Sequence, residues 1–133
     1  MPNHFHFILH QLQENGLLQF IAKICNGYVK AVNLEQERSG HLFEGKYKLK
    51  LIDDNGYLLH LSRYIHLNPV RAGLVSRPED WRYSSCREFY DIDSEKFVHK
   101  EIVLSQFGNA KEYRKFVEEY RPEDQDRIKK FLF

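Results

Sequence analysis

Two short stretches of this chain carry residue types that could do chemistry together. One is Asn3-His4-Phe5-His6-Phe7-Ile8 near the beginning; the other is Tyr64-Ile65-His66-Leu67-Asn68 in the middle. His4 and His6 stand two apart, so in an extended strand both imidazoles leave the same face, where two nitrogens can grip one divalent cation from a rigid base. Phe5 and Phe7, on the other face, anchor that strand. Tyr64 and Asn68 stand four apart and are neighbours on one face of a helix. Two imidazoles and one amide oxygen can ligate a metal and leave positions open for phosphate oxygens. A tyrosine hydroxyl beside such a centre can attack phosphorus, and the resulting phosphotyrosine retains the bond for resealing. Taken one at a time, these residues have plainer readings. A His-x-His on a strand is more often solvent-facing, a helical tyrosine more often lines the rim of a core, and an Asn before Pro69 serves as a C-cap. A zinc site on His4, His6 and His10 is weaker, because Ile8 interrupts that row. His10 and His66 fall off the ligand positions and read as supporting or structural.

The elements that must position these groups follow from the hydrophobic pattern. Residues 3–10 alternate, with Phe5, Phe7 and Leu9 against His4, His6, Ile8 and His10, which predicts a strand. Residues 46–52 alternate again, with Lys46, Lys48 and Lys50 on one face and Tyr47, Leu49 and Leu51 on the other. Between them, Leu17, Ile21, Ile24, Cys25, Tyr28, Val29 and Val32 recur at helical spacing and predict a helix up to Glu37, ended by Ser39-Gly40. Asp53-Asp54-Asn55-Gly56 is a turn able to cap a second helix over residues 56–67. Its docking stripe is expected to be Leu58, Leu61 and Ile65. Pro69 disfavours helical conformation at Asn68, so that helix should end or kink there. Downstream, Arg77–Trp81 reads as an ordered loop, Ser84 or Ser85 as the cap of a short helix through Tyr90, and two more helices are expected over 101–107 and 110–120. The charged last segment, from Arg121, carries Ile128, Phe131 and Phe133, which could dock.

Composition bounds the class. The chain has 133 residues, of which 42% are hydrophobic and 14% aromatic, enough for one domain with a core. A formal charge of +1 excludes a polycation that coats nucleic acid and an acidic disordered tail alike. Two cysteines are too few for a disulfide scaffold or a four-cysteine zinc site. No apolar run approaches the ~20 residues of a membrane span, and no signal-peptide pattern is present. The expectation is a cytoplasmic protein with no membrane partner.

Met1-Pro-Asn-His-Phe-His-Phe-Ile and Tyr64-Ile-His-Leu-Asn-Pro-Val-Arg-Ala-Gly-Leu-Val resemble the two signatures of the IS200-like, single-tyrosine (Y1) HUH transposases, closest to the REP-associated tyrosine transposase branch. Ser39-Gly-His-Leu-Phe-Glu-Gly-Lys-Tyr-Lys, Asp54-Asn-Gly-Tyr-Leu-Leu and Arg77-Pro-Glu-Asp-Trp-Arg-Tyr-Ser-Ser resemble that branch as well. The resemblance implies that His4 and His6 are the metal-binding pair, Asn68 the third ligand, Tyr64 the nucleophile, and Mg²⁺ or Mn²⁺ the metal. It implies a DNA transposase that nicks single-stranded DNA through a 5′-phosphotyrosine, releases a 3′-hydroxyl, and rejoins when a second 3′-hydroxyl attacks. DNA hairpins are the implied targets, and a homodimer is one assembly it allows. The implied architecture is α+β: a ferredoxin-like antiparallel sheet with helices packed on it. The family places another strand and a helix ahead of the histidine strand, so the expected domain lacks that N-terminal part. It has a catalytic core over 1–90 and a C-terminal helical extension of the same domain over 91–133. Lys46, Lys48 and Lys50, with Arg63 and Arg71 flanking the nucleophile, are the expected DNA contacts, and Phe43, Tyr47 or Trp81 the bases' stacking partners. The alternative is a non-catalytic, hairpin-binding protein derived from a decayed or domesticated transposase.

Overall fold

The computed structural model describes residues 1–93 and 98–121. Its elements are α1 (Gly16–Glu35), α2 (Asn55–Arg71), a 3₁₀ turn (Pro78–Asp80), α3 (Cys86–Phe89), α4 (Glu101–Leu104) and α5 (Ala110–Glu118). Ile128, Phe131 and Phe133 lie outside the described residues. Among the described residues no helix is long and apolar enough to cross a membrane.

The α+β expectation is corrected. No strand occurs among the described residues, so there is no ferredoxin-like antiparallel sheet and the regular structure is entirely helical. The physical reason is that alternation only says how an extended chain would sort its side chains. A strand exists through its ladder to a partner. Residues 3–10 and 46–52 lie outside regular secondary structure, and Phe5, Phe7, Leu9, Tyr47, Leu49 and Leu51 all remain exposed, so neither apolar face is buried against a core.

Two compact units are distinguished: residues 7–49, and residues 1–6 together with the chain from residue 50 onward. The first is built on α1. Asn15, in the left-handed region at φ 58°, leads into the helix. At the other end Arg38 N–H reaches back to the Asn33 carbonyl at 2.9 Å and Glu37 N–H to Leu34 at 3.5 Å, with Glu37 itself left-handed at φ 49°. This is a Schellman stop in which glutamate occupies the position where glycine is favoured. The helix therefore ends ahead of Ser39-Gly40. Of the described residues in this unit, Ile21 alone belongs to the buried core, while Leu18, Phe20, Ile24, Tyr28 and Leu34 are exposed.

The second unit is built around α2. Asp54 caps it, its carboxylate accepting from Tyr57 N–H at 2.6 Å. The helix does not end at Asn68. It runs through a buried Pro69 to Arg71, giving up only the bond that a proline cannot donate. Its stop is Gly73, left-handed at φ 69°. Gly73 N–H bonds the Val70 carbonyl and Leu74 N–H the Pro69 carbonyl, both at 2.9 Å, a complete Schellman motif.

The buried stripe of α2 also differs from the expected one. It is Leu58, Ser62, His66 and Pro69, with Leu61 and Ile65 half-buried beside it. Its two polar members are satisfied by a directed hydrogen-bond chain. Ser62 donates to the Leu59 carbonyl at 2.9 Å, so the Tyr113 hydroxyl, 3.1 Å away, must donate to Ser62. With its proton spent, Tyr113 can only accept from His66 Nδ1–H at 2.8 Å, which leaves His66 Nε2 to accept from Ser85 at 3.0 Å. This chain fixes one neutral tautomer of His66. Burial holds the imidazole pKa down at about 3.

Tyr113 belongs to α5, whose cap is Asn109, accepting from Lys111 and Glu112 N–H at 2.9 and 3.1 Å. Tyr113, Phe116, Val117 and Tyr120 repeat at i, i+3, i+4 and i+7. Tyr113 and Val117 are wholly inaccessible. Phe89 and Phe107 each lie 5.2 Å from the Tyr113 ring. The Arg77–Trp81 segment forms the 3₁₀ turn, and its buried Glu79 accepts from Arg114 of α5 at 2.8 Å.

Candidate functional site

Because α2 continues past Pro69, Tyr64, Asn68 and Arg71 fall at i, i+4 and i+7 and share one face. That face lies opposite the buried Ser62, His66 and Pro69. The polar chain through His66 thus ties one side of the helix to Tyr113 and Ser85, and presents the other side for chemistry.

The N-terminal segment meets this face through His6. The His6 ring lies against the Tyr64 ring, with centroids 6.1 Å apart and planes at 69°. The His4 ring packs edge-on to His6 at 5.1 Å. His4 Nδ1 is 2.8 Å from the side-chain oxygen of Asn3, which fixes that nitrogen as the donor and frees Nε2. Although much of the His6 residue is exposed, its ring is crowded enough that desolvation lowers its pKa, with the charges of His4 and the chain's amino terminus adding to the effect. Neutral imidazole, the form that ligates metals, is favoured there.

Asn68 lies one turn beyond Tyr64, half-buried, and its amide makes no hydrogen bond among the described residues. No group of three or more His, Cys, Asp or Glu that could hold a metal ion occurs among those residues. The donors that the resemblance implies for a metal on this face are the two imidazoles and the Asn68 amide. That donor set fits a divalent ion that accepts nitrogen as well as oxygen, Mn²⁺ more readily than Mg²⁺.

The expected DNA contacts are placed differently from one another. Arg71 is exposed, and its guanidinium lies over the Tyr64 ring at 5.6 Å. Lys46, Lys48 and Lys50 are exposed outside regular secondary structure; Lys50 belongs to the α2 unit, and Lys46 and Lys48 to the other. Arg63 is inside. It is 3% exposed, donates to the Phe116 carbonyl at 3.1 Å, lies 2.8 Å from His60 Nδ1, and stacks over the Phe116 ring at 4.1 Å. Adjacent helical residues point about 100° apart, so Arg63 turns toward α5 while Tyr64 faces the histidines.

One neighbour of the site was not among the expected residues. Tyr120, just past α5, accepts from Arg71 at 3.3 Å and has that guanidinium over its ring at 5.3 Å. The i, i+3, i+4, i+7 run ending at Tyr120 is the sequence signal that could have found it, since it puts Tyr120 on the face of α5 that docks against α2.

The chain is 31% identical over 98 residues to a Haemophilus influenzae protein that bears the provisional name REP-associated tyrosine transposase. The chain is related to that transposase. The match covers 64% of this chain and 54% of the relative, so the chain spans about half the length of the curated relative it matches. No family model matches, and no solved structure does.

Proposed function

We propose that this chain is a metal-dependent DNA nicking and strand-transfer enzyme of the transposase type, with Tyr64 as its nucleophile and single-stranded or hairpin DNA as its substrate. The observation that carries the reading is the packing of His6, with His4 edge-on to it, against Tyr64 from a segment far away in sequence. The relationship to a protein named a tyrosine transposase is consistent with a tyrosine nucleophile and implies DNA as the partner.

The proposed step is in-line displacement. The Tyr64 oxygen bonds to phosphorus as the bond to the 3′-oxygen breaks. The leaving electron pair stays on that oxygen, which takes up a proton as the phenol releases one to solvent. The products are a 5′-phosphotyrosine and a free 3′-hydroxyl, and attack by another 3′-hydroxyl reverses the exchange. A divalent cation, when bound by His4, His6 and Asn68, would neutralise charge on the phosphate oxygens. Such transfers depend on positioning and charge stabilisation more than on a strong base. The His66–Tyr113–Ser62 chain supplies rigidity to the helix that carries the nucleophile.

The test uses a labelled pool of oligonucleotides with a fixed stem and randomised single-stranded flanks, incubated with the chain and Mn²⁺. An SDS-stable protein–DNA adduct is expected, lost in Tyr64→Phe and on chelation, with hairpin binding retained. An adduct that persists in Tyr64→Phe overturns the assignment. Binding without any adduct from the wild type identifies the non-catalytic hairpin binder instead.

A further inference from the structure

We infer that Arg71 is the phosphate-binding group of this site and that Tyr120 positions it. The inference rests on Tyr64 being the nucleophile and names a part of the machinery that this reading leaves open. Arg71 stands in the last turn of α2, two turns from Tyr64 on the same face. Its guanidinium lies over the Tyr64 ring at 5.6 Å and over the Tyr120 ring at 5.3 Å, and one of its terminal nitrogens donates to the Tyr120 hydroxyl at 3.3 Å.

This arrangement has a definite chemical meaning. A guanidinium held through its faces and by one N–H keeps its remaining N–H edge available, and two parallel N–H groups match two oxygens of a phosphodiester. The side chain is exposed, so it can meet a polymer from solvent. Being beside the phenol, it would contact the phosphate that Tyr64 attacks, where charge on the equatorial oxygens must be stabilised.

Tyr120 touches no reacting atom in this scheme. It limits where a long, rotamer-rich arginine can go. Its ring also borders the buried Arg63, whose guanidinium lies over it at 5.0 Å, and this anchors the ring to the core. Arg63 and Arg71 therefore divide the labour that their sequence positions leave undivided: the first is spent on structure, and the second is held at the nucleophile.

The experiment measures two independent readouts. The first is the salt dependence of binding to single-stranded oligothymidylate. The second is the rate of adduct formation with the fixed-stem oligonucleotide pool. Thermal melting serves as a fold control; Arg71→Ala, at an exposed position, should melt like the wild type. Arg71→Ala should lower the slope of log affinity against log salt by about 0.7, one single-strand phosphate contact, and slow adduct formation about 100-fold, the loss typical of one removed charge-stabilising donor. Arg71→Lys should restore the slope but not the rate, because a point charge lacks the planar fork. Tyr120→Leu should approach Arg71→Ala in rate. The double variant should be no slower than Arg71→Ala, since Tyr120 acts only through Arg71.

Multiplicative losses in the double variant, or a wild-type slope and rate in Arg71→Ala, overturn the inference. In the latter case the nucleophile reading still stands. If the slope falls as expected but no protein forms an adduct, the phosphate site stands and the nucleophile reading fails.

Discussion

The two units of this chain handle similar apolar content in opposite ways. The α2 unit buries Tyr57, Leu58, Cys86, Phe89, Tyr90, Val103, Tyr113 and Val117, and it encloses polar Ser62 and His66 with partners for each. The α1 unit carries a helix of 20 residues with strong apolar periodicity, yet Leu18, Phe20, Ile24, Tyr28 and Leu34 stay exposed. The candidate chemistry lies where the core is. A nucleophile must be held to within a fraction of an ångström to be effective, and α2 is fixed on its far side by a cluster whose members each contribute about 1.5–3 kcal/mol by burial. The lesson is that an apolar stripe in the sequence does not by itself make a core. It needs a second element whose stripe fits, and α5 gives α2 that partner.

The largest effect that could break this contrast is Tyr113→Ala. It removes the most enclosed aromatic ring and strands His66 and Ser62, with an expected loss of about 4 kcal/mol. Urea unfolding would measure it, and hydrogen exchange should show amides of α2 and α5 losing protection while those of α1 change little. Equal loss in both helices would dissolve the distinction between the units.

The next largest effect is that of acid. His66 has its folded pKa depressed to about 3 from the ordinary 6.5. Below pH 6.5 the unfolded chain takes up a proton that the fold refuses, so the stability contributed by neutral His66 is complete above 6.5. It declines as the pH falls from 6.5 to 4, by about 1.4 kcal/mol per pH unit. Denaturation of His66→Gln across pH 4–7 should flatten that slope relative to the wild type. An unchanged slope would contradict the buried, neutral assignment.

The smallest effect concerns α1. Glu37 occupies a left-handed position at φ 49°, so Glu37→Gly should stabilise the end of that helix by about 0.5–1 kcal/mol. The increase would appear as slower amide exchange in the last turn of α1. Tyr28→Ala, at a residue 56% exposed, should change stability by less than about 0.5 kcal/mol.

Much of the candidate site was legible in the sequence. The Asp54 cap, the i, i+4 relation of Tyr64 and Asn68, the structural reading of His66, and the helices near residues 101 and 110 could all be read from local rules, because capping and helical period depend on near neighbours. What could not be read depends on partners distant in sequence. The alternating segments at 3–10 and 46–52 carry the strand pattern, but no strand occurs there among the described residues and their apolar faces stay exposed. Pro69 predicts an end that the Gly73 Schellman motif and the burial of the proline ring override, and this is what brings Arg71 onto the Tyr64 face. Arg63 looks like a surface cation until the Phe116 carbonyl and the rings of Phe116 and Tyr120 are there to receive it.

The most direct test of the central claim is to locate the covalent bond. Trypsin cuts after Arg63 and Arg71 and frees the peptide Tyr64-Ile-His-Leu-Asn-Pro-Val-Arg, whose only tyrosine is Tyr64. After reaction with the oligonucleotide pool and nuclease trimming, mass spectrometry should find this peptide heavier by a 5′-linked nucleotide, with the mass gone in Tyr64→Phe. A nucleotide found on any other tyrosine, with the 64–71 peptide unmodified, would contradict the account.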